Sequence, residues 1–358
     1  MISFKSKVRH FILIGTLFMS NLMGADKNKN LIKQQENILE KEEQKLSKEY
    51  LRINYTRGED QTYLTYPEWF LVYSPKEYAE FLKTNPSSDF SYFTHLKQFW
   101  GSYYDIYQAT KDKYSFNSEY HIMINVIGIS TSIEYGIKSI YGNTISKLVQ
   151  LIDSKGKTSE EELGANVAKE YVDFIENVPW YEFDFYSKFK DVWKIPFFEK
   201  GFIRQTERKM AMSIEYLVKA SYGWIIGKAS AGSFDKPSLE TICIVDNNYN
   251  FNDIKMIKKL DKDIYLTSLP RYQDFTTAAI KIAKMGGNFK EIAGNKDFIM
   301  LSLLITEKEI KDFKKDTLFK YGRTTDSRIR VMIRVEIKEL SNFIRENKSL
   351  YIEHIYDF

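Results

Sequence analysis

The chain has 358 residues, 43 % of them hydrophobic and 28 % charged, so it can bury a substantial core, and its length favours two domains. A single cysteine, Cys243, and four scattered histidines exclude a disulfide framework and a cysteine- or histidine-rich metal centre, so we expect no metal and no cofactor. The slight basic excess of the chain comes mostly from residues 1–25, which contain no acid, so we expect no nucleic-acid partner.

Residues 1–25 have the pattern of an export segment. Lys5, Lys7 and Arg9 precede an apolar run over 11–25, which suits a signal-peptide core and falls short of the roughly 20 residues of a membrane span. A cleaved signal peptide or an uncleaved N-terminal membrane anchor is favoured over a buried helix. Both favoured alternatives predict an exported protein, periplasmic or anchored in the inner membrane and facing the periplasm.

Residues 26–57 are rich in charged and amide side chains and form a predicted stalk or linker. Ile32, Leu39, Leu46 and Ile53 are spaced by seven residues, which would allow a short coiled coil and a homo-oligomer assembled through the stalk. A solvated helical or disordered spacer is the preferred interpretation.

Globular sequence begins near residue 62. The aromatic stretch 62–73 resembles a strand interrupted by Pro67, and Ser74 followed by Pro75 and Glu77 predicts a helix start with a capping box.

The most informative feature is an internal duplication. Residues 77–86 match 170–179 at an offset of 93, and 132–147 match 213–228 at an offset of 81 with nine of sixteen positions identical. Two matched blocks in the same order make chance a poor explanation.

The duplication predicts a pseudo-twofold helical domain over 62–230. Repeat 1 covers about 77–148 and repeat 2 about 170–229, too few copies for an open solenoid.

Residues 235–358 alternate strand and helix patterns. Strands are predicted at 264–268, 289–293, 298–306, 328–335 and 350–356, and helices at 271–285 and 340–346. Gly294 and Asn295 predict a hairpin between the second and third strands. The order β-α-β-β-α-β resembles a ferredoxin-like domain, with a further strand at 239–245 and extra sequence at 307–327. The fold class is therefore α+β: a mainly helical, internally duplicated domain followed by a ferredoxin-like domain.

The second repeat block supplies the main candidate site residues. Each copy carries a Glu followed by a Tyr and, four residues after the Glu, by a Lys. The six are Glu134, Tyr135, Lys138, Glu215, Tyr216 and Lys219. Either both sets meet across the pseudo-twofold axis and form a polar binding site with paired carboxylates, or each pair stabilises its own helix. The second, structural interpretation is preferred.

Two further features bear on partners. Residues 120–133 contain no charge and are interpreted as a buried core helix, with a helix face lying on a bilayer, aided by Tyr222 and Trp224, as the alternative. Arg204 and Arg208 could bind an anion or lipid head group, although a solvated helix face is the commoner meaning of such a run.

Several strings together resemble an uncharacterised family of Gram-negative bacterial proteins that carry an N-terminal hydrophobic segment. They are Thr65–Trp69, Pro179–Phe183, the two Ser-Ile-Glu-Tyr blocks and Leu269–Tyr272. The resemblance covers about 62–358. It implies a bacterial source and a membrane-linked location, and it implies no activity.

The sequence favours a non-enzymatic envelope protein that binds a membrane lipid, a small ligand or an envelope protein. The alternative is a hydrolase-type enzyme in which Glu134 and Glu215 are the paired acids and Tyr135 and Tyr216 position the substrate. The distance between the two carboxyl groups discriminates between them, because catalysis by two flanking acids tolerates only about 5–9.5 Å.

Overall fold

The structure, a computed structural model, describes residues 59–153, 156–197, 201–233, 240–246, 254–261, 263–312 and 317–357. Helices occupy the first part of these residues, and two antiparallel sheets with packed helices follow. The predicted α+β class is confirmed. The predicted signal or anchor over 1–25 and the predicted stalk over 26–57 lie outside the described residues.

The first helical segment contains three long helices and a tight turn. Their bounds are α1 Glu59–Leu82, a 3₁₀ turn Ser87–Asp89, α2 Tyr92–Thr110 and α3 Ser118–Tyr141, followed by a π-helical turn Gly142–Ser146 and α4 Lys147–Ile152. Asn117 caps α3 by accepting from the Tyr120 amide.

Helix α1 corrects the prediction for its sequence. The predicted strand over 62–73 and the predicted helix start at Ser74 belong to one continuous helix that contains Pro67 and Pro75. Tyr63, Tyr66, Phe70 and Tyr73 recur at helical spacing and are all buried. Burial of this aromatic face outweighs the cost of two prolines in a helix.

The second helical segment repeats the order of the first. It consists of α5 Ser159–Ile175, a 3₁₀ turn Trp180–Glu182, α6 Phe185–Lys194 and α7 Phe202–Ser233. Thr158 and Glu161 form a capping box at the start of α5. The turn and the following helix begin 93 residues after their counterparts, as the sequence offset predicts. The first helices of the two segments, α1 and α5, pack against each other.

Gly142 and Gly223 occupy aligned positions and make the same close contact. A Cβ on Gly142 would lie 3.0 Å from Ser88 Cα, and one on Gly223 would lie 3.1 Å from the Tyr181 carbonyl oxygen. Ser88 and Tyr181 are the middle residues of the two 3₁₀ turns. In both segments, therefore, a glycine lets the third helix approach the turn.

The C-terminal part contains two four-stranded sheets. The strands and helices are β1 Glu240–Asp246, β2 Lys255–Asp261, β3 Ile264–Pro270, α8 Gln273–Lys284, β4 Asn288–Ile292, β5 Phe298–Ile305, α9 Glu307–Asp312, β6 Thr317–Gly322, β7 Ile329–Glu336, α10 Ile337–Glu346 and β8 Tyr351–Ile355. The sheet orders are β2-β3-β1-β4 and β6-β7-β5-β8, with every neighbouring pair antiparallel.

The strand pairing differs from the predicted single β-α-β-β-α-β sheet. Gly294 and Asn295 do form a turn, with Gly294 at φ 79°, but the strands on either side belong to different sheets, so the predicted hairpin is wrong. β5 pairs with β7 and β8 instead. The stretches around 239–258 and 307–327 supply strands β1, β2 and β6.

Alternating side chains give the second sheet two buried faces. Leu301 and Leu303 of β5 join α8 and α10 in one core, while Met300 packs with the aromatic residues of α1. The sheet β6-β7-β5-β8 therefore lies between the α8/α10 pair and helix α1.

A buried ion network fastens α1 to this sheet. Arg330 of β7 donates to both carboxylate oxygens of Glu353 at 2.5 and 2.8 Å and lies 3.3 Å from Glu77 Oε1 on α1. The other oxygen of Glu77 accepts from the amide and hydroxyl of Thr324, each at 2.8 Å. His95 Nε2 lies 2.8 Å from the same hydroxyl.

We expect alanine at Gly142 or Gly223 to lower the free energy of unfolding by about 1–2 kcal/mol, because the new methyl group would press on the backbone of the turn. Gly136, in α3, has no atom within 4 Å of a built Cβ and is the matched control. G136A should raise stability by up to about 1 kcal/mol through helix propensity. Denaturant unfolding of the three variants measures this, and equal stabilisation of all three would show that the contact is not tight.

His95 should make stability fall with acidity. Burial lowers the pKa of His95 to about 4, against the opposing attraction of Glu77, with Arg330 lowering it further. The unfolded chain therefore takes up a proton near pH 6.5 that the native state refuses until about pH 4. Stability is fully present above pH 6.5 and should fall by as much as about 3 kcal/mol on acidification.

The measurement is thermal unfolding from about pH 7.5 to 4 for the natural chain and His95→Gln. The variant should show a shallower loss, although His121 and His354, whose pKa values burial also lowers, keep part of it. Superimposable pH profiles would contradict this role.

Candidate functional site

The four charged candidates from the two copies meet in one alternating ring. Lys138 Nζ lies 2.8 Å from Glu134 Oε1 and 2.7 Å from Glu215 Oε1. Lys219 Nζ lies 3.1 and 3.0 Å from the same two oxygens. We call these four residues the charge ring. Each lysine thus contacts the glutamate of its own helix and that of the other, so the two sets meet and each Glu–Lys pair also bridges one turn of its own helix.

The two glutamates are close enough for paired-acid chemistry. Because both Oε1 atoms contact the same Lys138 Nζ, their separation cannot exceed the sum of those two contact distances. That sum lies well within the upper limit of about 9.5 Å for two flanking acids. The side chains are partly accessible, between 17 % exposed for Lys138 and 38 % for Glu134.

The protonation states are unfavourable for that chemistry. Burial alone would raise the pKa of the Glu134 carboxyl, but the charges of Lys138 and Lys219 overcome it and hold the pKa well below its usual value. The pKa of Glu215 is lowered by the same balance. Burial would lower the pKa of Lys138, but Glu134 and Glu215 raise it well above the ordinary value. All four groups are charged at neutral pH, and a general acid needs a raised carboxyl pKa.

The surroundings of the ring recur in both copies. Lys138 Nζ lies 5.4 Å from the ring centroid of Tyr78, and Lys219 Nζ lies 5.6 Å from that of Tyr171, the aligned residue. The match of residues 77–86 with 170–179 aligns these two tyrosines but does not indicate their contact with the lysines.

A second pair of contacts also recurs. The indole N–H of Trp100 donates to the hydroxyl of Ser132 at 3.0 Å, and that of Trp193 donates to Ser213 at 3.0 Å. In each copy this bond joins the second helix to the third, two positions before the glutamate of the charge ring.

Tyr135 and Tyr216 are buried next to the charge ring and feel the charges of Glu134 and Glu215, respectively. Both are buried, and the Tyr135 hydroxyl lies 2.6 Å from Ser74 Oγ. Tyr135 packs on Tyr92 and Tyr216 on Phe185. Burial raises the pKa of both phenols.

Arg204 and Arg208 do not join the charge ring, and they do not form a solvated face. Both are buried and precede Glu215 on α7. Arg204 donates to Glu161 at 2.7 Å. Arg208 pairs with Glu207 and donates to Ser87 at 2.9 Å. Their guanidinium groups already have acidic partners, which leaves little capacity for an external anion.

Beside the charge ring lies a broad exposed apolar surface. Aligned residues of α3 and α7 are exposed to similar extents: Ile129 and Met210 by 55 and 50 %, Ile133 and Ile214 by 51 and 60 %, and Ile137 and Val218 by 63 and 62 %. We call these six residues the paired-helix face.

The preference for a buried core helix over 120–133 therefore fails for part of that segment. Ile124 is buried, but Met123, Val126 and Ile129 are exposed. Ile133 and Ile137 are four residues apart on α3 and therefore lie on one face of the helix. That face is turned to solvent.

The exposed apolar residues of α3 and those of α7 lie on the same side of the helix pair. Glu134 of α3 contacts Lys219 of α7. Ser146, which follows Glu134 in the chain, donates at 2.8 Å to Glu207, which precedes Lys219. The helices thus run antiparallel and use aligned residues for contact, which is the arrangement of a twofold axis perpendicular to the pair. The exposed apolar residues of the two helices therefore form one surface, and the charge ring lies in the seam, the line along which the two helices meet.

Other functional chemistry is sparse in the described part of the chain. No three His, Cys, Asp or Glu side chains come together there as a metal site would require. None of the described helices is both long and apolar enough to cross a membrane. The polar groove beside the β6–β7 loop is lined by Arg323, Asp326 and Arg328, which pair with one another.

Compared with models of protein families, with curated proteins and with solved structures, the chain matches none. The resemblance based on short motifs stays a prediction.

The charge ring should couple the two copies energetically. A double-mutant cycle of Glu134→Gln and Lys219→Met should give a coupling energy of about 1 kcal/mol in the free energy of unfolding, because the pair is only partly exposed and joins two helices. Lys194 and Asp191, a pair at i,i+3 with the lysine 74 % exposed, are the control and should give a value near zero. Additive effects at Glu134 and Lys219 would mean that the ring does not hold the copies together.

Proposed function

We propose that the chain is an exported, membrane-associated protein of a bacterial envelope that works by binding a hydrophobic partner through the paired-helix face. The observation that carries this proposal is the repeated exposure of large aliphatic side chains at aligned positions of α3 and α7. Monomeric soluble proteins rarely expose contiguous apolar surfaces of this kind unless the surface binds something.

The proposal includes a duplication of the helical unit. Residues 77–148 and 170–229 are interpreted as two copies, supported by the paired Trp–Ser hydrogen bonds and the Gly142 and Gly223 contacts. Because the exposed apolar residues occupy equivalent positions in both copies, we interpret their exposure as a property of the repeated unit.

The C-terminal part is interpreted as two ferredoxin-like units in tandem. Both sheets have the strand order 2-3-1-4 when each is numbered from its own first strand, and in both a helix connects the third and fourth strands. This interpretation replaces the single unit expected from sequence and assigns the C-terminal part a structural role through the buried Arg330 network.

The envelope location rests on the N-terminal sequence. Lys5, Lys7 and Arg9 followed by the apolar run 11–25 would direct export, and retention of that run would keep the body at the membrane. A hydrophobic partner and a membrane-linked location are mutually consistent, since a tether raises the local concentration of membrane partners.

The alternative function, hydrolysis by Glu134 and Glu215, respects the upper limit on the carboxyl separation but has the charges against it. Both carboxylates are neutralised by the same two lysines, and lowered pKa values leave no proton for a leaving group. Binding is therefore the function that the geometry supports better.

The test of location is fractionation of cells that express the full chain, followed by protease treatment of spheroplasts. We expect the chain in the membrane fraction and digestion from the periplasmic side. Replacing Leu13 and Leu17 by Arg should hold the chain in the cytoplasm, whereas Leu31→Arg, outside the apolar run, is the matched control. Recovery of the natural chain from the cytosol would contradict the proposal.

A further inference from the structure

Resting on the proposed function above, we propose that the partner of the paired-helix face is the lipid bilayer itself, on which α3 and α7 lie side by side in the membrane plane. The apolar side chains would enter the boundary between head groups and acyl chains, and the helices would not cross the membrane. This is the binding mode of interfacial amphipathic helices.

The shape of the surface favours a bilayer over a small ligand. On the first copy the exposed apolar residues run from Val126 through the π-helical turn to Leu151, a length of roughly 35–40 Å at the rise of an α-helix. Exposed fractions of about one half along this length describe an open surface. A single lipid or metabolite in a pocket would instead need an enclosed lining.

The charges of the two helices also fit a membrane surface. The acidic residues within 123–152 and 203–228 are Glu134, Glu207 and Glu215, and each is bound to a lysine or arginine. Lys147 and Lys228 are exposed at aligned positions and, since the helices run antiparallel, lie toward opposite ends of the surface. Such lysines can reach anionic phosphates from an apolar surface.

Mutual neutralisation in the charge ring lowers the electrostatic cost of bringing the seam to a membrane. Its two positive and two negative groups cancel, so the seam carries no net charge into the head-group region. Near one end of the surface Trp224 is 67 % exposed and Tyr222 is also exposed, and these side chains favour the membrane interface.

The chain outside the described residues supports the same occupant. The basic and apolar segment ends at residue 25, and only residues 26–58 separate it from Glu59, the first residue of α1. A segment with this composition brings the folded part to a bilayer, and a connection of that length would let a face settle on it. A second copy of the chain is the competing occupant.

The experiment uses the full chain with an environment-sensitive nitrobenzoxadiazole label on Ile137→Cys or Val218→Cys. The natural Cys243 is fully buried, and burial raises its thiol pKa, so it should not take up the label. Lys284→Cys, exposed on α8, is the matched control position. Vesicles contain phosphatidylethanolamine and phosphatidylglycerol at a ratio of about 3:1, and some carry doxyl-labelled acyl chains.

We expect the labels at 137 and 218 to show a blue shift and a several-fold rise in emission on vesicles, with quenching by doxyl lipid, while the label at 284 stays unchanged. The combined change Lys147→Gln and Lys228→Gln should weaken vesicle binding by about fivefold per lysine, and only when phosphatidylglycerol is present. Met256→Glu, an exposed residue on β2, should have no such effect.

Three results would overturn the inference. The chain could fail to bind vesicles, or it could bind them while the labels at 137 and 218 remain in an aqueous environment. The labels could also shift without vesicles as the chain doubles in mass, which would assign the face to a second copy. None of these results removes an exported, membrane-linked location found by fractionation, so failure here is distinguishable from failure of the proposed function.

Discussion

Helices α3 and α7, which α4, α5 and α6 separate along the chain, are joined through a ring of four charges. In this ring each lysine serves both glutamates, which lets the two helices lie beside each other with long polar side chains between them. The neighbouring Ile133, Ile137, Ile214 and Val218 lie on the surface beside this ionic seam.

The protonation states in the charge ring disfavour catalysis by its two glutamates. Glutamates this close together could act as an acid and a base, but two lysines hold both of them in the ionised form. The ring is partly accessible, neutral and flanked by aliphatic groups. Mutual neutralisation lowers the cost of bringing such a seam to an apolar surface, which is consistent with the proposed membrane contact.

The sequence predicted the features that depend on local pattern or on the comparison of one copy with the other. Aligning the two repeated blocks identified the Glu and Lys residues of the ring. The apolar run of β5 and the alternation in β7 located these strands nearly to their ends. The prediction for α1 was wrong because Pro67 in an aromatic run suggested an interrupted strand. The aromatic residues are in fact buried by side chains of β5, β6 and the C-terminal Tyr356, at the other end of the chain. Local propensity contains no information about that contact.

Two further aspects depended on long-range contacts. The division of the strands into two sheets rests on pairings such as β1 with β4 and β5 with β8, which turn residues do not encode. A buried polar network joins the first two helices to the last strands of the chain through Glu77, His95, Thr324 and Arg330. Because these residues are far apart in the sequence, no local motif predicts the network. The spacing of apolar residues predicts an apolar face on α3, but spacing alone does not tell whether such a face meets the core or the solvent.

The proposed membrane contact requires that two aligned helices present one continuous surface to the bilayer. Spin labels placed singly from 129 to 140 on α3 and from 210 to 221 on α7, in the full chain on vesicles, test it through accessibility to oxygen and to a water-soluble nickel complex. We expect high oxygen and low nickel accessibility at 129, 133, 137, 210, 214 and 218, with the same helical period and phase on both helices. Nickel accessibility at those six positions as high as at an exposed site on α8 would contradict it.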